Sequence, residues 1–211
     1  MADAQFLKAS ARRMGMPVHE GKEAQCTCGN VKANGSRCGK QLDAEGHHAA
    51  ICECGGAYER QHDAIRDLLL RRLASGLSAT ATIGQRISGM HADAAEGVRL
   101  DVAVSRIGMA TEYLDVAVID AHSATAATEV CRARKGGIAA REIENKNRQK
   151  YPANLRLIPF IIEAHGRFGE AAAQWLQKAY KDEAGKRRSL CAELAALLQS
   201  HTASRVMAAV T

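Results

Sequence analysis

Two aspartates sit in closely similar apolar hexads: Asp101 in Arg99-Leu-Asp-Val-Ala-Val104 and Asp115 in Tyr113-Leu-Asp-Val-Ala-Val118. An ionised carboxylate inside an apolar strand is costly unless it is paired or metal-bound. Two of them on strands able to form a hairpin can converge on one divalent cation, and hard oxygen ligands suit Mg²⁺ or Mn²⁺. The chemistry this allows is metal-assisted attack of water on a phosphodiester. That reaction also calls for a basic group to hold the water and offset charge on the phosphorane. Lys135, Lys146 and Lys150 are the candidates, and Lys135, Glu142 and Lys146 share nearly one helical face. The plainer reading makes each aspartate a salt-bridged or strand-end residue and the basic run a solvated face.

A second group lies upstream. Five of the seven cysteines fall between Cys26 and Cys54, with His47 and His48 among them. Zinc takes four N or S ligands in a tetrahedron, usually as two pairs on tight turns. Cys38 with Cys28 (or Cys26) forms one pair around Asn34-Gly35 and Gly39, and His47 with Cys52 forms the other. His48, Cys54 and one of Cys26/Cys28 are then spare, and the alternative is a cysteine-rich loop without metal. The segment has too few large apolar residues to fold unaided, which favours a metal staple. A structural site is expected, because neither the deaminase pattern nor His-Glu-x-x-His is present.

The elements that must position these residues follow from periodicity. Ile65, Leu68, Leu69 and Leu73 predict a helix over 60–74, and residues 80–87 read as a strand. Val98, Leu100, Val102 and Val104 alternate along a second strand, and 113–119, apolar on both faces, predicts a central third. A long helix is expected over 124–150, loosened at Gly136-Gly137 and ended by Pro152. A strand over 155–163 carries Pro159, tolerated at an edge or a bulge. Helices over 168–184 and 186–200 complete the chain. Short gaps favour antiparallel hairpins, and the long helix makes a crossover to a parallel strand. The fold class is therefore α/β, a mixed sheet of about four strands in the order α-β-β-β-α-β with C-terminal helices, preceded by a small zinc-binding segment. The expected domains are an amphipathic helix over 1–22, the Cys/His-rich zinc knuckle over 23–58 and a globular domain over 59–211.

Of the 211 residues 40 are alanine, so Ala-rich helices must supply much of the packing. Aromatic residues are only 4%, which argues against base stacking on an aromatic platform. No run is long and apolar enough for a membrane span, and no secretory signal is read. An odd cysteine count without such a signal predicts reduced thiols and an intracellular chain. The net charge of +6 concentrates over 132–150, where seven basic residues face Glu142 and Glu144. A polyanionic partner fits that distribution.

Taken together the chain resembles the C-terminal restriction-like endonuclease region of site-specific non-LTR retrotransposon polyproteins. The resemblance covers most of the chain. It is carried by Phe6-Leu-Lys-Ala9, Arg13-Met-Gly-Met-Pro17, Cys28, Cys38-Gly39, Leu42-Asp43 with Gly46-His47, Cys52, Gly55-Gly56 and Arg60-Gln-His-Asp-Ala-Ile65. It continues through Leu100-Asp-Val102, Leu114-Asp-Val116, Lys150-Tyr-Pro152, Pro159-Phe-Ile-Ile-Glu163 and Gly166-Arg-Phe-Gly169. It implies a PD-(D/E)xK-type nuclease core behind a Cys-Cys-His-Cys zinc knuckle. Asp101, Asp115 and the Val116 carbonyl would hold Mg²⁺ or Mn²⁺, and Cys28, Cys38, His47 and Cys52, with Cys26 as substitute, would hold zinc.

The chain departs from the family pattern in two places. Leu100 stands where proline usually precedes the first acid, and Ala117 occupies the place of the strand lysine. Relatives of this kind take that lysine from the following helix, which makes Lys146 the first choice and Lys135 or Lys150 the substitutes. His62 and Asp63 match the family's Arg-His-Asp/Asn element, although Asp63 equally suits a helix N-terminus. Glu163 is read as a further acidic neighbour or a strand-end charge. Arg134, Arg141, Arg148 and Arg167 would grip the backbone of DNA, or of the element's RNA. The chain lacks a paired-aspartate polymerase motif. It therefore reads as a fragment that works beside a polymerase region, a remnant, or a domesticated stand-alone copy, with a nuclear location. The rival reading is a zinc-containing nucleic-acid-binding module whose nuclease site has decayed.

Overall fold

Alternation along Glu112–Ile119 sends Leu114, Val116 and Val118 into the core and leaves Tyr113, Asp115 and Ala117 half-buried on the other face. The strand can therefore carry a polar site on one side while the other side packs. In the computed structural model, which describes residues 3–14, 16–19, 21, 26–77, 79–83, 86–87, 98–120, 136–151 and 154–210, it is strand β5. The preceding elements are helices α1 (Asp3–Arg13), α2 (His47–Ile51) and α3 (Ala57–Gly76), with a 3-10 turn at Cys54–Gly56. Strands β1 (Thr80–Ile83), β2 (Arg86–Ile87), β3 (Val98–Arg99) and β4 (Val102–Ser105) follow. After β5 come α4 (Ile138–Lys150), β6 (Leu157–Glu163), α5 (Glu170–Ala179) and α6 (Ala184–Ala208).

The main sheet has the order β1-β4-β5-β6, antiparallel except for the parallel β5–β6 pair that the α4 crossover requires. It is the expected mixed sheet, with β5 central and β6 on an edge. Pro159 lies on that edge strand, in register with Asp115. Leu68, Leu69 and Leu73 of α3, Trp175 and Leu176 of α5, and Leu190, Leu194 and Leu198 of α6 cover one face. Helix α4 packs on β5 and β6 over the other face, where its buried Ala139 and Ala140 permit close approach. The alanine excess is thus partly spent at helix–sheet contacts.

Several expected elements differ in extent, among them the two C-terminal helices, which cover Glu170–Ala179 and Ala184–Ala208. The strand over 80–87 divides, β1 entering the main sheet and β2 pairing with β3 in a separate ribbon. The strand over 98–104 breaks at Leu100-Asp101, because Leu100 is drawn into the core while Asp101 bends out to a polar partner. The long helix begins at Ile138: Gly137 has φ of 89°, a left-handed backbone that no α-helix passes through. The earlier part of that helix, with Arg134 and Lys135, lies outside the described residues.

The N-terminal segments do not pack by themselves. Val18, Cys28, Leu42, Ala49 and Cys52 share a small core with Val206 and Ala209 from the end of α6. Gly46 sits at this seam with φ of 71°, and a Cβ there would lie 2.6 Å from Val18 Cγ2. Gly46→Ala therefore combines a left-handed alanine with a clash and is expected to lower stability by about 2–4 kcal/mol in denaturant unfolding. Gly35→Ala, also left-handed at φ of 81° but with open space around it, should cost only about 1–2 kcal/mol.

Candidate functional site

The antiparallel register pairs Val102 with Leu114, and one step further along the two strands stand Asp101 and Asp115. The ladder ends there. The N–H of Val116, which has left the β4 ladder, donates to Asp101 Oδ2 at 2.7 Å. Asp101 Oδ1 lies 3.3 Å from His62 Nε2 on α3. Asp115 is held from the opposite side by the end of α4: Asn147 Nδ2 donates to its Oδ2, and the Tyr151 hydroxyl donates to its Oδ1 at 3.2 Å. The Lys150 ammonium lies 5.0 Å from the centroid of the Tyr151 ring.

Two like charges on neighbouring positions repel, and the ionisation of the group shows it. Burial, and then the charge of Asp101, push the Asp115 carboxyl above its usual range, against the opposing pull of Lys150, the Tyr151 hydroxyl and His62. His62 is pushed up by its contact with Asp101. A hard cation between the carboxylates would relieve the repulsion, and the donor set is of the right kind for one. Each carboxylate offers about four lone-pair sites, of which the hydrogen bonds described above use two.

The predicted residues divide clearly. Asp101, Asp115 and His62 come together, and the charge of Lys150, an exposed side chain, reaches Asp115. Lys146 is exposed, about 100° around α4 from Asn147, and none of the contacts described for Asp115 involves it. Val116 contributes its N–H and buries its side chain in the core. Asp63 turns outward, 2.7 Å from Arg66 Nη1. Glu163 is buried behind the N-terminal turn of α4, where the backbone N–H groups of Gly137 and Ala140 meet it. Among the basic residues, Arg141 pairs loosely with Glu170 at 3.6 Å. Arg148 lines a hollow with Glu112, Trp175 and Lys178. Arg167 lies against the backbone of Gly136, where a Cβ would fall 1.3 Å from its Nη1. Asn147 and Tyr151 escaped the sequence reading as ligand-holding residues. Their spacing, i and i+4 with Lys150 between, is the signal that could have found them.

A second constellation lies at the other end of the chain. Backbone bridges between Thr27 and Gln41 and between Val31 and Arg37 form a tight turn that brings Cys28 to Cys38. Asp43 accepts the N–H groups of both His47 and His48, at 2.7 and 2.9 Å, and so opens α2. Cys28, Cys38, His48 and Cys52 then place one ligand atom each within 4.8 Å of one another, and the four can hold a metal such as zinc. Their spacing fits that ion. Cys28 Sγ and Cys52 Sγ are 3.7 Å apart, and Cys38 Sγ and His48 Nε2 are 3.4 Å apart. A zinc tetrahedron with ordinary bond lengths has S–S edges of about 3.8 Å and S–N edges of about 3.6 Å. Without a cation, burial and the neighbouring sulfurs push the Cys28 thiol up to about 12.

The histidine of this group is His48, where the sequence pointed to His47. Successive helical side chains diverge by about 100°, and His48 lies four residues before Cys52, on its side of the turn. His47 faces Asp120 instead, Nδ1 to Oδ2 at 3.8 Å, in a buried group with Arg12. Cys26 is not one of the four. It lies at the far end of the turn, where its carbonyl accepts the Leu42 N–H, and packs against the small core. Buried Arg205 ties the group to the rest of the fold, donating to the Cys52 carbonyl at 3.0 Å and to Gln61 Oε1 at 2.7 Å. Among the described residues no helix is long and apolar enough to cross a membrane. No protein-family model matches the chain, and no curated protein matches it.

Proposed function

We propose that the chain is a metal-dependent DNA endonuclease with a restriction-like core and a structural zinc knuckle, of the kind it resembles in site-specific non-LTR retrotransposons. One observation carries the reading: Asp101, at the entry to β4, and Asp115 on β5 stand side by side, with His62, Asn147 and Tyr151 converging on them and the Lys150 charge in reach of Asp115. Mg²⁺ or Mn²⁺ held by the two carboxylates would polarise the phosphoryl oxygens and steady the departing one. The side chains do the rest. The Val116 N–H and His62 fix Asp101, and Asn147 and Tyr151 fix Asp115, so both carboxylates are oriented before a substrate arrives. Lys150 takes the place of the strand lysine, orienting water for in-line attack on phosphorus and offsetting charge on the phosphorane. Arg148 and Lys178 along α4 and α5 suit the DNA backbone. DNA as partner, with a polymerase region beside it and a nuclear location, belongs to the same proposal.

Plasmid nicking in Mg²⁺ and in Mn²⁺ tests this reading. Lys150→Ala is expected to slow nicking about 10²-fold or more, as loss of a charge-stabilising donor does, whereas Lys146→Ala should stay within about threefold at moderate salt. Equal losses in the two variants would place the basic function elsewhere. Ala117 at the strand-lysine position favours the decayed binding module as the second reading. Salt-sensitive DNA binding without cleavage in either metal would decide for it.

A further inference from the structure

The Cys/His group has more ligands than a tetrahedron can use. Cys54 stands two residues beyond Cys52, close enough to the Cys52 and Cys38 sulfurs to interact with them, but outside the four ligands that lie within 4.8 Å of one another. It lines one hollow of about 360 Å³ together with Cys38, His48 and Cys52, flanked by Lys32 and Lys40. It also borders a second hollow on its other side, with Gly55, Gly56 and Glu59. Cys54 is only partly buried, unlike Cys28 and Cys52. It opens the 3-10 turn in which Gly55 and Gly56 have φ of 77° and 65°, a backbone that can re-aim the residue before it. Cys54 and His48 thus flank the same pair of sulfurs from the open side of the group.

We propose that Cys54 is a reserve metal ligand that exchanges with His48, so that a thiophilic d¹⁰ cation, zinc or cadmium, is held either by three thiolates and an imidazole or by four thiolates. Zinc has no geometric preference from its d-electrons and accepts a fifth ligand in passing, so the exchange need not release the ion. Cys54 gives up its proton to solvent when it binds, and His48 leaves as a neutral imidazole. The imidazole is the ligand to be replaced because its helix is short and it faces the hollow, whereas Cys28 and Cys52 are enclosed by the small core.

This inference rests on the metal-holding reading of the group and is independent of the nuclease reading. Cobalt-loaded full-length protein tests it, because sulfur-to-cobalt charge-transfer absorption grows with the number of thiolates bound. Cys54→Ser should bind one equivalent with the three-thiolate intensity, and wild type one equivalent with an intensity at or slightly above it, since the four-thiolate form is the minor one. His48→Ala should still bind one equivalent, with intensity raised by about a third, as four thiolates require. His48→Ala/Cys54→Ser should lose at least tenfold in affinity relative to His48→Ala. Alkylation read by mass spectrometry gives a second measure. Cys54 should be modified in loaded wild type and protected in loaded His48→Ala. The proposal is overturned if His48→Ala binds no better than the double variant, keeps the three-thiolate intensity, or fails to fold where Cys54→Ser folds. Wild type that binds no cobalt or zinc would instead overturn the metal reading itself.

Discussion

Asp115→Ala is expected to lower Mg²⁺-dependent nicking by about 10³-fold or more while leaving the protein folded. The size follows from the loss of a ligand to a cation that stabilises the transition state by several kcal/mol, at about 1.4 kcal/mol per tenfold. The retained fold follows from electrostatics. Burial and the Asp101 charge hold the Asp115 carboxyl above its usual range in the folded chain. A group whose folded pKa is raised favours folding when protonated and opposes it as pH rises through that pKa. Above the ordinary carboxylate range, without a cation, Asp115 therefore weakens the fold. Asp115→Asn in EDTA should be as stable as wild type or more so, and the gain should vanish at a pH low enough to protonate the wild-type carboxyl. Adding Mg²⁺ should raise the melting temperature of wild type and leave that of Asp115→Asn unchanged, because only the former binds the ion. Asp101→Ala should match the loss of nicking but cost more stability, since the Val116 N–H and His62 both lose their partner. Nicking that survives both substitutions would remove the catalytic assignment. An Mg²⁺ shift that survives Asp115→Asn would show that the ion binds elsewhere.

Removing the metal from the Cys28, Cys38, His48 and Cys52 group is expected to release the knuckle and leave the sheet standing. The core behind the ligands holds few large aliphatic side chains, Val18, Leu42 and Val206 among them, and small segments of that kind depend on a staple. Metal binding and folding are there one event. Hydrogen exchange after chelation should show the amides of Cys28, Cys38 and Leu42, which bond within the turn, losing protection by about 10³-fold or more, equivalent to about 4 kcal/mol. Amides along β5 and β6, between Leu114 and Ile162, should keep theirs, because their core is formed with α3, α5 and α6. Cys28→Ser should reproduce the chelated pattern. Unchanged protection in the turn after the metal is gone would mean that the small core orders the segment alone.

The two sites differ in how far the residues announced them. The carboxylate pair was readable because a strand has a period of two and the hexads around Asp101 and Asp115 share it. Once both were strands of one hairpin, the register could hardly keep the aspartates apart. The helix that completes the pair was readable in position but not in rotation. Lys146, Asn147 and Lys150 are all polar, and periodicity alone does not say which of them faces a strand. Burial of Ala139 and Ala140 against the sheet, with the Glu144 carboxylate accepting the Ala171 N–H at the start of α5, sets that angle and turns Asn147 and Tyr151 toward Asp115.

The knuckle shows the same division. Clustering of cysteine and histidine in a core-poor stretch was enough to predict a metal site, because ligand type and turn residues are local properties. The choice between His47 and His48 was not local. It depends on the rotation of α2, a helix of five residues, and that rotation is fixed by partners from distant parts of the chain. Asp120 just past β5, itself held by Arg12 on α1, draws His47 inward, while Arg205 on α6 holds the Cys52 carbonyl. The sequence by itself determined element order, sheet class and the chemical types gathered at each site, since these follow from periods and compositions over a few residues. Tertiary structure alone decided which of two adjacent side chains meets a site, because that turns on helix rotations set by partners from other elements, about 30 residues away for α4 and more than 70 residues away for α2.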